Sequence, residues 1–176
     1  MKVFTKYSYP LVILLFALSA PAAQSPEMSL PPKAFALLNQ RFPDWRYAHI
    51  PDEVRQALKL HNPAIGRLDM ITGDFDGDAR ADYAALINHG KAEAVPGAGN
   101  TLVIFMERKN SYEVHTIEDS GGEYIALSHK GERAYSYELQ KEFRFKHDAI
   151  SACIFEKAAT SYIYERGRFR AIITGD

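Results

Sequence analysis

The chain has a single cysteine, a single tryptophan and no stretch dominated by charge of one sign. One cysteine, Cys153, excludes an internal disulfide and a zinc site built on several thiolates. Its apolar surroundings, Ala149-Ile150-Ser151-Ala152-Cys153-Ile154-Phe155, read as those of a buried, inert thiol. Lysine and arginine number 21 against 22 aspartates and glutamates, and they are scattered rather than striped, so no nucleic acid or anionic membrane is expected as a partner. Catalytic signatures are missing too. The six histidines (His49, His61, His89, His115, His129 and His147) show no His-Glu-x-x-His spacing. Ser120-Gly121-Gly122-Glu123 lacks the Gly-x-Ser-x-Gly frame of a nucleophile turn and reads as a glycine-rich strand connection. Among Glu93, Glu107, Asp119 and Glu123 a carboxylate pair for glycoside hydrolysis stays open, because sequence does not set the separation of two carboxyl groups.

The apolar stretch at residues 11–20 is too short for the ~20 residues of a membrane span. Lys2 and Lys6 precede it and Ala20-Pro21-Ala22 follows, the layout of a cleavable secretory leader cut after Ala22. An uncleaved anchor is the alternative, but Pro10 and Pro21 bracket the run and nothing lengthens it. No cysteine stands directly after the apolar run to carry a lipid. The expectation is a leader at residues 1–22 and one globular domain at residues 23–176, secreted or periplasmic, with no stable membrane insertion after cleavage.

Two helical segments come first. Phe35, Leu38 and Phe42 have helical spacing ended by Pro43, and Pro51-Asp52-Glu53 opens a second turn with Val54, Ala57 and Leu58 on one side. From Arg67 onward, β-branched and aromatic runs alternate with turn residues, which predicts strands at residues 68–72, 83–88, 101–107, 112–117, 124–128, 149–155, 160–165 and 169–173, plus one around Phe143 and Phe145. The predicted class is α+β: two N-terminal helices packed on a mostly antiparallel sheet. The loop 90–100, with Gly90, Pro96, Gly97, Gly99 and Asn100, is the longest connection and a rim for a surface site. Trp45 with Tyr47, Tyr135 with Tyr137, and Tyr162 with Tyr164 alternate, so each pair shares one face of a strand; the core is favoured for the last pair and core or docking surface stays open for the others.

The densest chemistry lies in residues 73–87, where Asp74, Asp76, Asp78 and Asp82 fall within nine positions between two apolar runs. Carboxylates crowded this closely repel one another unless a cation sits between them, and an all-oxygen set suits a hard ion such as calcium, which takes about six to eight ligands. With Asp74 at position 1, the side chains at 1, 3 and 5 converge, the backbone oxygen of Arg80 at position 7 adds a neutral ligand, and Asp82 at position 9 closes the shell. Without an ion, the same aspartates would make Asx turns in a solvated hairpin. Positions 6 and 12 hold Ala79 and Ala85 where an EF-hand needs glycine and glutamate, so the loop is not an EF-hand.

Gly73-Asp74-Phe75-Asp76-Gly77-Asp78 with Asp82-Tyr83-Ala84-Ala85 resembles the calcium loop of FG-GAP and VCBS repeats, which joins two antiparallel strands. The resemblance implies side-chain ligands at Asp74, Asp76, Asp78 and Asp82 and a carbonyl ligand at Arg80. It covers about fifteen residues and departs from the pattern at Ala79, where glycine is usual; an alanine held in the same geometry carries a steric cost of roughly 1 kcal/mol. No second copy of the motif occurs, so a multi-bladed propeller is not expected.

Two function classes follow. The favoured one is a non-catalytic calcium-binding domain, its ion structural, whose sheet meets a protein or a glycan. The other is a small secreted hydrolase or hydrolase inhibitor with a cleft near the loop 90–100. Convergence of Glu93, Glu123 and a histidine in one pocket would favour the enzyme; a flat aromatic patch would favour binding.

Overall fold

The computed structural model describes residues 28–63, 65–90 and 97–175; the leader at residues 1–22, Glu93 and the middle of the loop 90–100 lie outside the described residues. In chain order the elements are α1 (Pro32–Arg41), β1 (Trp45–Tyr47), α2 (Asp52–His61), β2 (Met70–Gly73), β3 (Asp82–His89), β4 (Asn100–Arg108), β5 (Ser111–Ile117), β6 (Tyr124–Ser128), β7 (Arg133–Ser136), β8 (Lys141–Arg144), β9 (Ala149–Ile154), β10 (Ala158–Glu165) and β11 (Arg168–Gly175). The first sheet runs β1-β3-β4-β5 with β2 also on β3, the second runs β11-β10-β9-β6, and β7-β8 is a separate hairpin. Every pairing is antiparallel.

Strand alternation assigns each face its neighbour. Leu86, Leu102, Ile104 and Met106 of the first sheet meet Ile125, Ile150 and Tyr162 of the second, forming the inter-sheet core. The residues between them, Ala85, Ile87, Val103 and Phe105, point the other way and pack under Ala34, Leu38 and Phe42. Both faces of β3 and β4 are thus covered, which is why these strands read as continuous apolar runs. Beyond the second sheet, Ala149, Ile163 and Ile172 meet Phe143 and Phe145 at the β7-β8 hairpin. Val54 of α2 closes one end with Ile50 and Leu68.

The α+β expectation is corrected. The described residues are mostly β, and the two helices among them are ten-residue segments that are not N-terminal: the first starts at Pro32, and β1 stands between them. Neither has a side-chain N-cap hydrogen bond. Their amphipathic spacing overstated their weight in the fold class, since among the described residues eleven strands in three sheets stand beside them. The strand content was undercounted because β1 has three residues and β7 four, too few for a clear period.

On the outer face of the second sheet, one hydroxyl per strand falls in line. Ser128 and Ser151 oxygens lie 2.8 Å apart, Ser151 and Ser161 2.9 Å, and Ser161 and Thr174 2.7 Å. The row ends where Thr174 Oγ1 donates to the carbonyl of Ala159 at 3.5 Å.

Candidate metal centre

The connection from β2 to β3 is held down by its one large apolar residue. Phe75 is fully buried in the inter-sheet core, so Asp74 and Asp76 on either side of it are turned to the rim. Oxygens of Asp74, Asp76 and Asp78 come within 4.8 Å of one another. The same carboxylates order the loop backbone: Asp74 accepts the N–H of Gly77 (2.8 Å) and of Ala79 (3.1 Å), Asp76 that of Asp78 (3.2 Å), and Asp78 that of Arg80 (2.9 Å). Two residues take positive φ to make this coil, Gly77 at 81° and Ala79 at 65°. A Cβ at Gly77 would run into the His147 ring, so glycine is needed there for space as well as for conformation.

Asp82 behaves differently from the other three. It is fully buried, and its two oxygens accept the backbone N–H of Phe75 (2.9 Å) and of Glu107 (2.8 Å). Burial pushes its carboxyl up to about 6, with the Asp76 and Asp78 charges adding to the rise and the two N–H donors opposing it. The aspartate thus joins the loop to β4 from below, while the three-carboxylate cluster faces outward. The Arg80 guanidinium lies 3.2 Å from Asp78, with its side chain 40% exposed.

Three residues remote in sequence complete the surroundings. Arg108, at the end of β4, donates from Nη1 to Asp76 at 2.7 Å, comes within 4.0 Å of Asp78, and grips Glu113 on β5 through Nε (3.1 Å) and Nη2 (3.0 Å). Asp148, just before β9, accepts the N–H of Asp74 at 3.1 Å and that of Lys130 at 2.9 Å, while its own N–H donates to the Asp74 carbonyl at 3.2 Å. His147 packs on Gly77, and its Nδ1 is buried without a hydrogen-bond partner. Beside it a cleft of about 390 Å³ runs from Asp76 to Tyr164 and Arg166. Sequence reasoning missed all three, because they belong to other connections and carry no local pattern of their own.

The donor chemistry fits a hard cation: three carboxylates converge, and a carboxylate oxygen that accepts one hydrogen bond keeps a further lone pair. No family model, curated protein or solved structure matches this chain.

The other sequence candidates have structural partners. The Ser120 hydroxyl donates to the Asn100 carbonyl at 3.1 Å, and Glu123 accepts the N–H of Phe155 at 3.2 Å. His89 Nε2 lies 3.2 Å from Thr101 Oγ1 and 3.4 Å from Glu118, His115 packs edge-on to Tyr164 and Phe169, and His129 is exposed. Of the aromatic pairs, Tyr162 is core, whereas Tyr135 and Tyr137 are 37% and 36% exposed with ring centroids 5.2 Å apart.

Proposed function

We propose that this chain is a secreted or periplasmic, non-catalytic β-domain that takes one calcium ion on Asp74, Asp76 and Asp78, and that the ion pins the β2–β3 connection. The observation that carries the reading is the convergence of the three carboxylates within 4.8 Å on a loop anchored by a buried phenylalanine. The Arg80 carbonyl and water are the remaining oxygen sources; the resemblance of residues 73–85 to FG-GAP and VCBS calcium loops would add Asp82, but its buried oxygens are taken by the Phe75 and Glu107 N–H groups. The ion's contribution is to stability: it neutralises crowded carboxylates and links β2, β3 and the residues before β9 through Asp74 and Asp148. A dissociation constant on the order of 10⁻⁴ to 10⁻³ M suffices where calcium is abundant.

Calorimetric titration of the mature protein with calcium, repeated on Asp74→Ala and Asp78→Ala, tests this. Binding heat in wild type, lost in both variants, is expected. No heat and no rise in melting temperature at millimolar calcium would refute it.

One observation supports a binding role. Tyr135, Tyr137, Leu139 and Ile173 are exposed, and the Tyr137 N–H donates to the Ile173 carbonyl at 3.1 Å, placing two of them at the junction of β11 with the hairpin. We read this apolar patch as the surface offered to a protein or glycan. The hydrolase reading has less support, because Ser120 and Glu123 are engaged with backbone groups.

A further inference from the structure

We propose that the outer face of the β7-β8 hairpin binds a polysaccharide bearing carboxylate groups, with Arg133 and Arg144 taking a carboxylate and Tyr135 a sugar ring. The proposal rests on the reading of this region as a binding surface and names its ligand class. In the hairpin register Arg133 stands directly opposite Arg144, and Tyr135 opposite Glu142. These four share one face, because the pair between them, Ala134 and Phe143, turns inward onto Ile163 and Ile172. All four are exposed.

Like charges directly opposite in an antiparallel pair are destabilising, since their Cβ atoms are only about 4.5–5.5 Å apart. Arg144 donates to the Gly131 carbonyl, a neutral acceptor, at 2.6 Å. Among the described residues Arg133 has no hydrogen bond or ion pair, and Glu142, two positions before Arg144 on β8, pairs with neither arginine. An anion held between the two guanidiniums removes the repulsion, and the planar fork of arginine meets a carboxylate with two parallel N–H bonds. A cleft of about 310 Å³ lies at this place, lined by Arg133, Glu142, Phe143 and Arg144. Two residues along β7, about 7 Å further on, Tyr135 presents its ring beside Tyr137, with centroids 5.2 Å apart. Cationic and aromatic surface therefore follow one another along the strand, as a chain of acidic sugars requires: a carboxylate on the arginines, the apolar face of the next ring on the tyrosine. Glu142 fixes the direction, because it repels a carboxylate from the tyrosine end.

The size of the face favours a narrow ligand. Four residues on each of two strands span about 13 Å by 10 Å, on the order of 130 Å², against roughly 800 Å² that each partner gives to a stable protein interface. A single polysaccharide strand matches that width.

Calorimetric titration of the mature protein with an oligogalacturonate, with its methyl ester and with polyglutamate tests the proposal, alongside thermal melting of each variant. The oligogalacturonate should bind, and the methyl ester, which keeps the sugars and loses the charge, should bind at least about tenfold more weakly. Arg133→Gln should lose about tenfold in affinity for the oligogalacturonate while melting no lower than wild type, because it removes the opposed charge. Tyr135→Ala should weaken the oligogalacturonate and its ester alike. Unchanged affinity in Arg133→Gln overturns the proposal. Equal binding of acid and ester, lost in Tyr135→Ala, overturns the carboxylate requirement although the binding surface stands. Polyglutamate bound as tightly as the oligogalacturonate and indifferent to Tyr135→Ala makes the ligand an acidic peptide. If none of the three binds at millimolar concentration, the ligand class fails and the reading of this surface as glycan-binding fails with it.

Discussion

Replacing Ala79 by glycine should stabilise the protein, which is unusual for removing a methyl group. Ala79 sits at φ 65°, where an L-residue brings Cβ against the carbonyl oxygen that follows at a cost of about 1–2 kcal/mol. Its side chain is exposed, so the methyl has little packing to lose. Its N–H donates to Asp74 at 3.1 Å, which holds the residue in this conformation. Against the relief stands the extra freedom of glycine in the unfolded chain, about 0.4–1 kcal/mol. The balance is a gain of about 0.5–1 kcal/mol, or roughly 1–4 °C in Tm for a chain of this size. Thermal unfolding followed by circular dichroism, in EDTA and again with calcium, measures it. Ala79→Val supplies the opposite control, because a β-branched side chain is worse still at positive φ and should lower Tm. A drop in Tm for Ala79→Gly in EDTA, or a valine variant as stable as wild type, would refute the account of strain at this position.

Two further outcomes follow from buried ionisable groups. The Asp82 carboxyl is raised from 3.8 to about 6 in the fold, so its neutral form is favoured there; the stabilisation is complete below the unfolded pKa and is lost as pH rises through about 6. In EDTA, the urea-unfolding stability of wild type relative to Asp82→Asn should therefore fall by up to about 3 kcal/mol between pH 4 and 7.5, and parallel pH profiles for the two proteins would contradict this. Burial likewise pushes the Cys153 thiol up to about 11, so iodoacetamide at pH 8 should label native protein at least about 100-fold more slowly than protein in denaturant; equal rates would show the thiol to be accessible.

The cluster was legible because its members are neighbours in sequence. Asp74, Asp76 and Asp78 alternate, and alternation in a loop anchored by Phe75 brings their oxygens together. Asp82 is the same residue type at a regular spacing, but it starts β3, and the buried N–H groups of Phe75 and Glu107 claim its oxygens. Only tertiary structure brings those donors to it. The structure puts Ala79 at φ 65°, and the steric cost there could be read only through the resemblance, which has glycine at that position. Arg108, Asp148 and His147 could not, since each is ordinary in its own segment and acquires its role from the stacking of separate connections. Strands β3 and β4 were plain as apolar runs, whereas three-residue β1 depends on its pairing with β3 for its existence as a strand.

The row of hydroxyls across the second sheet has a polarity. Each hydroxyl carries one proton, so when Thr174 turns its own to the Ala159 carbonyl, a long contact at 3.5 Å, it receives one from Ser161. Ser161 must then receive from Ser151, and Ser151 from Ser128, so a single carbonyl on β10 orients four protons on four strands. Bonds arranged head to tail in this way polarise one another. Thr174→Val would remove the terminus that sets the direction, leaving Ser128, Ser151 and Ser161 free to reverse together and exchanging one ordered arrangement for two.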